Sequence, residues 1–142
     1  MHTLIIYDSN YGNTRQVAED IAQTLGPNAK AIHVSQVTND MLTGLKLLVV
    51  GSPINAWRPT TKIGTFLSGL KPGQLQGCQV ATFDTRVNTF IHGDAAKSMS
   101  KRLVAAGATL SGQPQGFIVK GKAGPLAEGE PDRARNWAKT LV

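Results

Sequence analysis

Leu4–Thr14 reads LIIYDSNYGNT, and the segment behind it, Arg15–Leu25, reads RQVAEDIAQTL. Leu4, Ile5, Ile6 and Tyr7 form an apolar run of strand length. Asp8, Ser9, Asn10, Tyr11, Gly12, Asn13 and Thr14 are polar or flexible. From Thr14 onward the apolar positions Val17, Ala18, Ile21, Ala22 and Leu25 fall on one helical face. A strand, a hydroxyl-rich loop and a helix start make an anion site, because the first N–H groups of a helix lack internal partners and the helix dipole adds positive charge. Ser9, Asn13 and Thr14 add side-chain donors, and Gly12 permits close backbone approach. The loop has no Lys, and Arg15 is its one adjacent cation. It fits neither the triphosphate loop nor the dinucleotide fingerprint. Neutral donors suit a single terminal phosphate. The alternative is an ordinary strand-to-helix turn capped by Asn or Thr.

The rest of the chain alternates in the same way. Lys30–Val34 reads as a second strand, in which His33 is expected to be structural. Ser35–Gly44 holds caps and one short helical turn around Asn39–Leu42. Leu45–Val50 is almost continuously apolar, as in a central parallel strand, and Gly51, Ser52 and Pro53 are expected to end it. A helix with Ile63, Phe66, Leu67 and Leu70 follows, then a fourth strand, Cys78–Phe83. Asp84–Gly93 reads as a loop, with Asp94 capping a helix to Ala106 that buries Ala95, Met99, Leu103 and Ala106. Ala108–Leu110 and Gly116–Val119 flank Gly112-Gln113-Pro114, so the last strand is expected to be interrupted. Gly121–Gly129 is a Gly/Pro loop, and Pro131 opens a final helix that buries Ala134, Trp137, Ala138 and Leu141. This alternation predicts an α/β fold, a doubly wound five-stranded parallel sheet with helices on both faces. The loops Asp8–Thr14, Ser52–Pro59 and Asp84–Gly93 then leave the carboxyl ends of central strands and can meet on one ligand.

Composition sets the limits. The 142 residues, 41% hydrophobic and 17% charged, are expected to form a single domain spanning 1–142. No apolar run has the length of a membrane span, no signal peptide is recognisable, and one cysteine, Cys78, excludes an intrachain disulfide. A cytoplasmic location and a buried Cys78 are the expectations. The net charge of +6 comes with no basic run and no basic-aromatic motif, so nucleic-acid binding is not expected. No metal-ligand cluster and no catalytic constellation stands out.

Trp57, framed by Pro53 and Pro59, is a candidate stacking platform. Together, the strand–SNYGNT–helix segment, the Trp-bearing loop after the third strand and the loop after the fourth resemble the flavodoxin family along the whole chain. Ser9, Gly12, Asn13 and Thr14 match the family's phosphate-loop pattern, and Tyr11 replaces a hydroxyl residue. The resemblance implies sheet order 2-1-3-4-5 and noncovalent FMN. The phosphate would lie on Ser9, Asn10, Tyr11, Gly12, Asn13 and Thr14. The ring would lie between Pro53, Ile54, Asn55, Ala56 and Trp57 on one side and Asp84, Thr85, Arg86 and Gly93 on the other. The family commonly covers the outer ring face with a Tyr; here Phe90 takes that place or the face is open. The implied function is one-electron transfer between redox partner proteins by a monomeric flavoprotein. The alternatives are a small FMN-dependent quinone or NAD(P)H oxidoreductase and an interaction domain that has lost FMN. Flavodoxins are commonly acidic. Here Arg58 and Arg86 in the ring loops are expected to stabilise reduced, anionic flavin, and the +6 charge implies an acidic docking face on the partner.

Overall fold

The structure, a computed structural model, describes residues 2–55, 57–87, 94–121 and 123–141. Their order is β1 (Thr3–Tyr7), α1 (Asn13–Leu25), β2 (Ala29–His33), 3-10 turns at Val34–Gln36 and Asn39–Leu42, β3 (Leu47–Pro53), α2 (Thr61–Ser68), β4 (Gln79–Val87), α3 (Ala95–Ala105), β5 (Thr109–Leu110), β6 (Gln115–Val119) and α4 (Glu130–Lys139). All strand pairs are parallel. The sheet order is β2-β1-β3-β4, with β5 and β6 both paired to β4. This is the expected 2-1-3-4-5 order, with the fifth position split around Gly112-Gln113-Pro114. β5 pairs with Gln79–Val80, and β6 takes up Phe83–Val87.

Alternation along each strand sends neighbouring residues to opposite faces. Leu4, Ile6, Leu48, Val50 and Val80 join Ile63 and Leu67 of α2 and Ala96, Met99 and Leu103 of α3. Ile5, Leu47, Val49, Ala81, Phe83 and Phe117 join Val17 and Ile21 of α1, Ala134 and Trp137 of α4, and Leu141 just past its end. The helix faces read from the sequence are thus the buried ones. On the α1/α4 side the rings of Phe83, Phe117 and Trp137 meet edge to face, with centroids 5.9 to 6.2 Å apart.

The main departures from expectation are in β2, β3 and β4. β2 starts and stops one residue early, because Val34 enters a 3-10 turn. β3 begins at Leu47 and does not stop at Gly51; it continues through Gly51, Ser52 and Pro53, paired with Phe83, Asp84 and Thr85. β4 runs on to Val87, so Asp84, Thr85 and Arg86 are strand residues and not a loop. Pro53 is tolerated because Ile54 N–H donates to Thr85 O at 3.2 Å, which aims the Pro53 nitrogen toward β1, where that strand has already ended. Gly51 is required by packing. A side-chain carbon there would fall inside the Phe83 ring, and Phe117 and Trp137 leave that ring no room to move. Gly51→Ala is therefore expected to destabilise the protein by about 3 kcal/mol, at the upper end for overpacking. Urea unfolding measures it; a change within experimental error would contradict the packing argument.

Candidate functional site

β1, β3 and β4 deliver three segments to one end of the sheet. At the first, Asp8 N–H donates to Gly51 O at 3.2 Å and prolongs the β1–β3 pairing. Asp8 Oδ1 accepts Ser9 N–H at 2.8 Å, and Ser9 Oγ accepts Gly12 N–H at 2.9 Å. Gly12, at φ 94°, is the helix cap and brings no side chain to it, while Ser9 Oγ also accepts the first-turn N–H of Arg15 at 3.4 Å. The Asn or Thr cap of an ordinary turn is absent because both side chains are engaged elsewhere. Asn13 Nδ2 donates to Ala123 O at 3.2 Å, and Thr14 Oγ1 lies 2.8 Å from Thr85 Oγ1 in a buried hydroxyl pair. Among the described residues, the backbone N–H groups of Asn10, Tyr11, Asn13 and Thr14 have no hydrogen-bond partner. Four open donors at a helix start form an anion cradle.

The second segment folds into a narrow turn. Asn55 N–H donates to Arg58 O at 2.7 Å, and Arg58 N–H returns a bond to Asn55 O at 2.9 Å. Trp57 is held at φ 74°, the one non-glycine residue with positive φ among those described. A bulky residue takes that conformation only when its surroundings impose it. The Trp57 ring is 56% exposed and that of Tyr11, on the neighbouring loop, 53%. Asn10 Nδ2 donates to Asn55 Oδ1 at 3.2 Å and ties the two loops together. Ala56 lies outside the described residues, as do Phe90 and Gly93 of the third segment.

At the end of β4 the expected ring residues Asp84 and Arg86 have partners within the fold. Asp84 is fully buried. Its carboxylate accepts Arg86 Nε and Nη2, each at 2.7 Å, and Ala96 N–H at 3.0 Å. Burial pushes the Asp84 carboxyl upward, while the guanidinium and the Ala96 N–H act against that. Arg86 is held protonated by its bond to Asp84 and lies over Gly116, where any side chain would collide with it. Arg86 is thus a cation neutralised inside the fold, whereas Arg58 is exposed with no ion pair among the described residues. Arg58, Lys62, Lys97 and Lys120, all exposed and without ion pairs among the described residues, follow the carboxyl ends of β3, β4 and β6 and make that rim basic.

Three contributors were not legible beforehand. Gly124 packs its Cα against the Asn13 amide so closely that a side chain would collide, which brings the loop after β6 onto the start of α1. Asp8 and His33 form a pair, His33 Nε2 to Asp8 Oδ1 at 3.1 Å. Burial alone would raise the Asp8 carboxyl, but hydrogen bonds from Thr60, Ser9 N–H and His33 outweigh it and hold it below the usual range. The usable signal for this pair was strand order: Tyr7 and His33 are register partners, so the residue after Tyr7 lies beside His33.

The sheet order, the open donors at the start of α1 and the exposed rings beside them define a doubly wound α/β protein with its ligand end at the carboxyl edge. The flavodoxin family model matches residues 5–137, and the chain belongs to the flavodoxin family. Flavodoxins bind FMN and transfer electrons to partner proteins. Oxidised flavodoxin 2 from Bacillus cereus superposes with a TM-score of 0.86 at 21% identity, covering 99% of this chain and 97% of that one. A flavodoxin from the domain Archaea gives 0.81 at 18% identity, covering 99% and 96%. Rubredoxin:oxygen oxidoreductase from Desulfovibrio gigas gives 0.79 at 16% identity, covering 99% of this chain but 35% of that one. No curated protein matches. No helix among the described residues is long and apolar enough to cross a membrane.

Removing the guanidinium should leave Asp84 buried without its counter-charge. Arg86→Gln is expected to cost about 3 kcal/mol, and adding Asp84→Asn should recover part of it. Chemical denaturation of the two single variants and the double variant measures this; strictly additive effects would show that the two groups do not act as a pair.

Proposed function

We propose that residues 1–142 form an FMN-binding electron carrier serving protein redox partners. The observation that carries this reading is the set of open N–H groups at Asn10, Tyr11, Asn13 and Thr14, joined through Asn10–Asn55 to the turn that presents Trp57. These residues fit the group: the cradle suits a terminal phosphate, and the exposed Trp57 ring suits a flat heterocycle. FMN, when bound, supplies the capacity to take up and release single electrons.

The chain's own residues hold and shield it. Ser9 Oγ fixes Gly12 and so keeps the loop open toward phosphate. The Thr14–Thr85 hydroxyl pair sets the distance between the phosphate loop and the end of β4. The Asn55–Arg58 turn positions Trp57 at the ring, and Ile54 N–H is already bonded to Thr85 O. Among the expected ring cations, Arg58 retains an uncompensated charge and Arg86 does not. The basic rim of Arg58, Lys62, Lys97 and Lys120 favours a partner whose docking face is acidic.

Titration of the purified protein with FMN and riboflavin, followed by absorbance and Trp fluorescence, tests the reading. FMN is expected to bind more tightly than riboflavin. Ser9→Ala should weaken FMN about tenfold while leaving riboflavin unchanged, and Trp57→Ala should weaken both about tenfold. A protein that takes up neither flavin would refute the proposal. The rim makes a separate prediction. Oxidation of the flavin-loaded, reduced protein by anionic ferricyanide should slow as salt is added, and oxidation by a cationic cobalt ammine should accelerate. The reverse order would remove the case for an acidic partner.

A further inference from the structure

A titratable pair, Asp8 and His33, stands behind the loop that follows β1. His33 Nε2 lies 3.1 Å from Asp8 Oδ1, the same oxygen that accepts Ser9 N–H at 2.8 Å. Ser9 Oγ in turn holds Gly12 N–H. A chain of hydrogen bonds therefore runs from the end of β2 into the cradle. A carboxylate only accepts, so Nε2 carries the ring proton. Ser35 N–H donates to Nδ1 at 3.1 Å, so the imidazole caps the Val34–Gln36 turn. Ser35 Oγ lies 2.8 Å from the same nitrogen. A hydroxyl can reverse from donor to acceptor, so a second proton on Nδ1 already has a partner, and taking it up gives away the turn cap.

The surroundings make that proton count. His33 lines an open depression of about 420 Å³ with Tyr7, Ser9, Gly12, Arg15 and Gln36, so the ring reaches solvent. The groups facing it can be named element by element. β1 supplies the edge-on ring of Tyr7, 5.6 Å away, and the residue after it is Asp8. α1 supplies Arg15, which is paired with Glu19 at 2.6 Å. The 3-10 turn supplies neutral Ser35 and Gln36, and the start of α2 supplies Thr60. Asp8 is a buried negative charge one residue before the loop, and among the described residues His33 is the group in contact with it that can balance that charge.

We propose that Asp8 and His33 are positioning residues for the cofactor phosphate, and that the proton on His33 sets how tightly the loop holds it. With His33 charged, Asp8 is cancelled and the Asn10–Thr14 cradle faces the phosphate with its full positive potential. With His33 neutral, an uncancelled carboxylate stands behind the loop and opposes the anion. The proposal rests on the FMN reading above and adds a regulator to it.

The test is titration of wild type, His33→Gln and Asp8→Asn with FMN and with riboflavin at about pH 5.5 and about pH 8, which bracket the range in which histidines change charge. Gln keeps an N–H toward Asp8, and Asn keeps an acceptor for Ser9 N–H. His33→Gln should bind FMN about threefold or more weakly than wild type at the lower pH and equally at the higher, since a charge difference exists only where wild-type His33 is protonated. Asp8→Asn should bind FMN more tightly than wild type at the higher pH. Riboflavin, which has no phosphate, should not distinguish the three proteins. A wild-type to His33→Gln ratio that is the same at both pH values overturns the proposal, as does riboflavin changing in step with FMN. Equal binding of FMN and riboflavin by wild type would instead remove the phosphate assignment, and the proposal with it.

Discussion

Phe83 occupies the space that a side chain at Gly51 would fill, and the ligand end of the molecule depends on that substitution of ring for side chain. Past that ring β3 and β4 stay in register through Ser52–Asp84 and Pro53–Thr85. That register places the Thr85 carbonyl under Ile54 N–H and the Thr85 hydroxyl against Thr14. The loop between β1 and α1 and the Trp57 turn are thereby both referred to β4. A site whose parts come from three separate loops needs such a common reference, since misplacement of a few tenths of an ångström between anchor and ring would weaken both contacts.

Much of this was legible in the sequence. Helical spacing in Val17, Ala18 and Ile21, the continuous run Leu47–Val50 and the sharp change after Tyr7 follow directly from the periodicity of buried faces. The ends of β3 and β4 were not legible. Gly51 and Pro53 carry the marks of a strand stop, and Asp84 and Arg86 carry charges that a buried strand ordinarily excludes. Both signals are local. What overrides them is tertiary: a ring that needs a glycine, and two opposite charges two residues apart on one strand face that satisfy each other. His33 reads as structural from the sequence, but its partner is not legible there, since Asp8 lies 25 positions away across a strand pair. Gly124 reads as one more loop glycine, and only the Asn13 amide beside it gives its position a purpose.

The charge pattern also changes meaning once folded. Arg15, Arg86, Arg133 and Arg135 are all paired with carboxylates. The exposed excess at the ligand end is carried by Arg58 and by lysines, whose hydrated ammonium groups cost little to leave in solvent. Arginine here serves mainly to fasten the structure, and lysine sets the field a visitor meets.

A glycine at the cap of α1 has one more consequence. Helix ends are usually closed by a side chain of the same polypeptide, and closure is then permanent. With Gly12 in that position the N–H groups of Asn13 and Thr14 are left open to donate hydrogen bonds to an anion. A bound anion would take the place of a capping side chain. Occupancy and the integrity of the α1 start are then two descriptions of one equilibrium, so the empty protein is expected to open first at the place where it waits for its cargo.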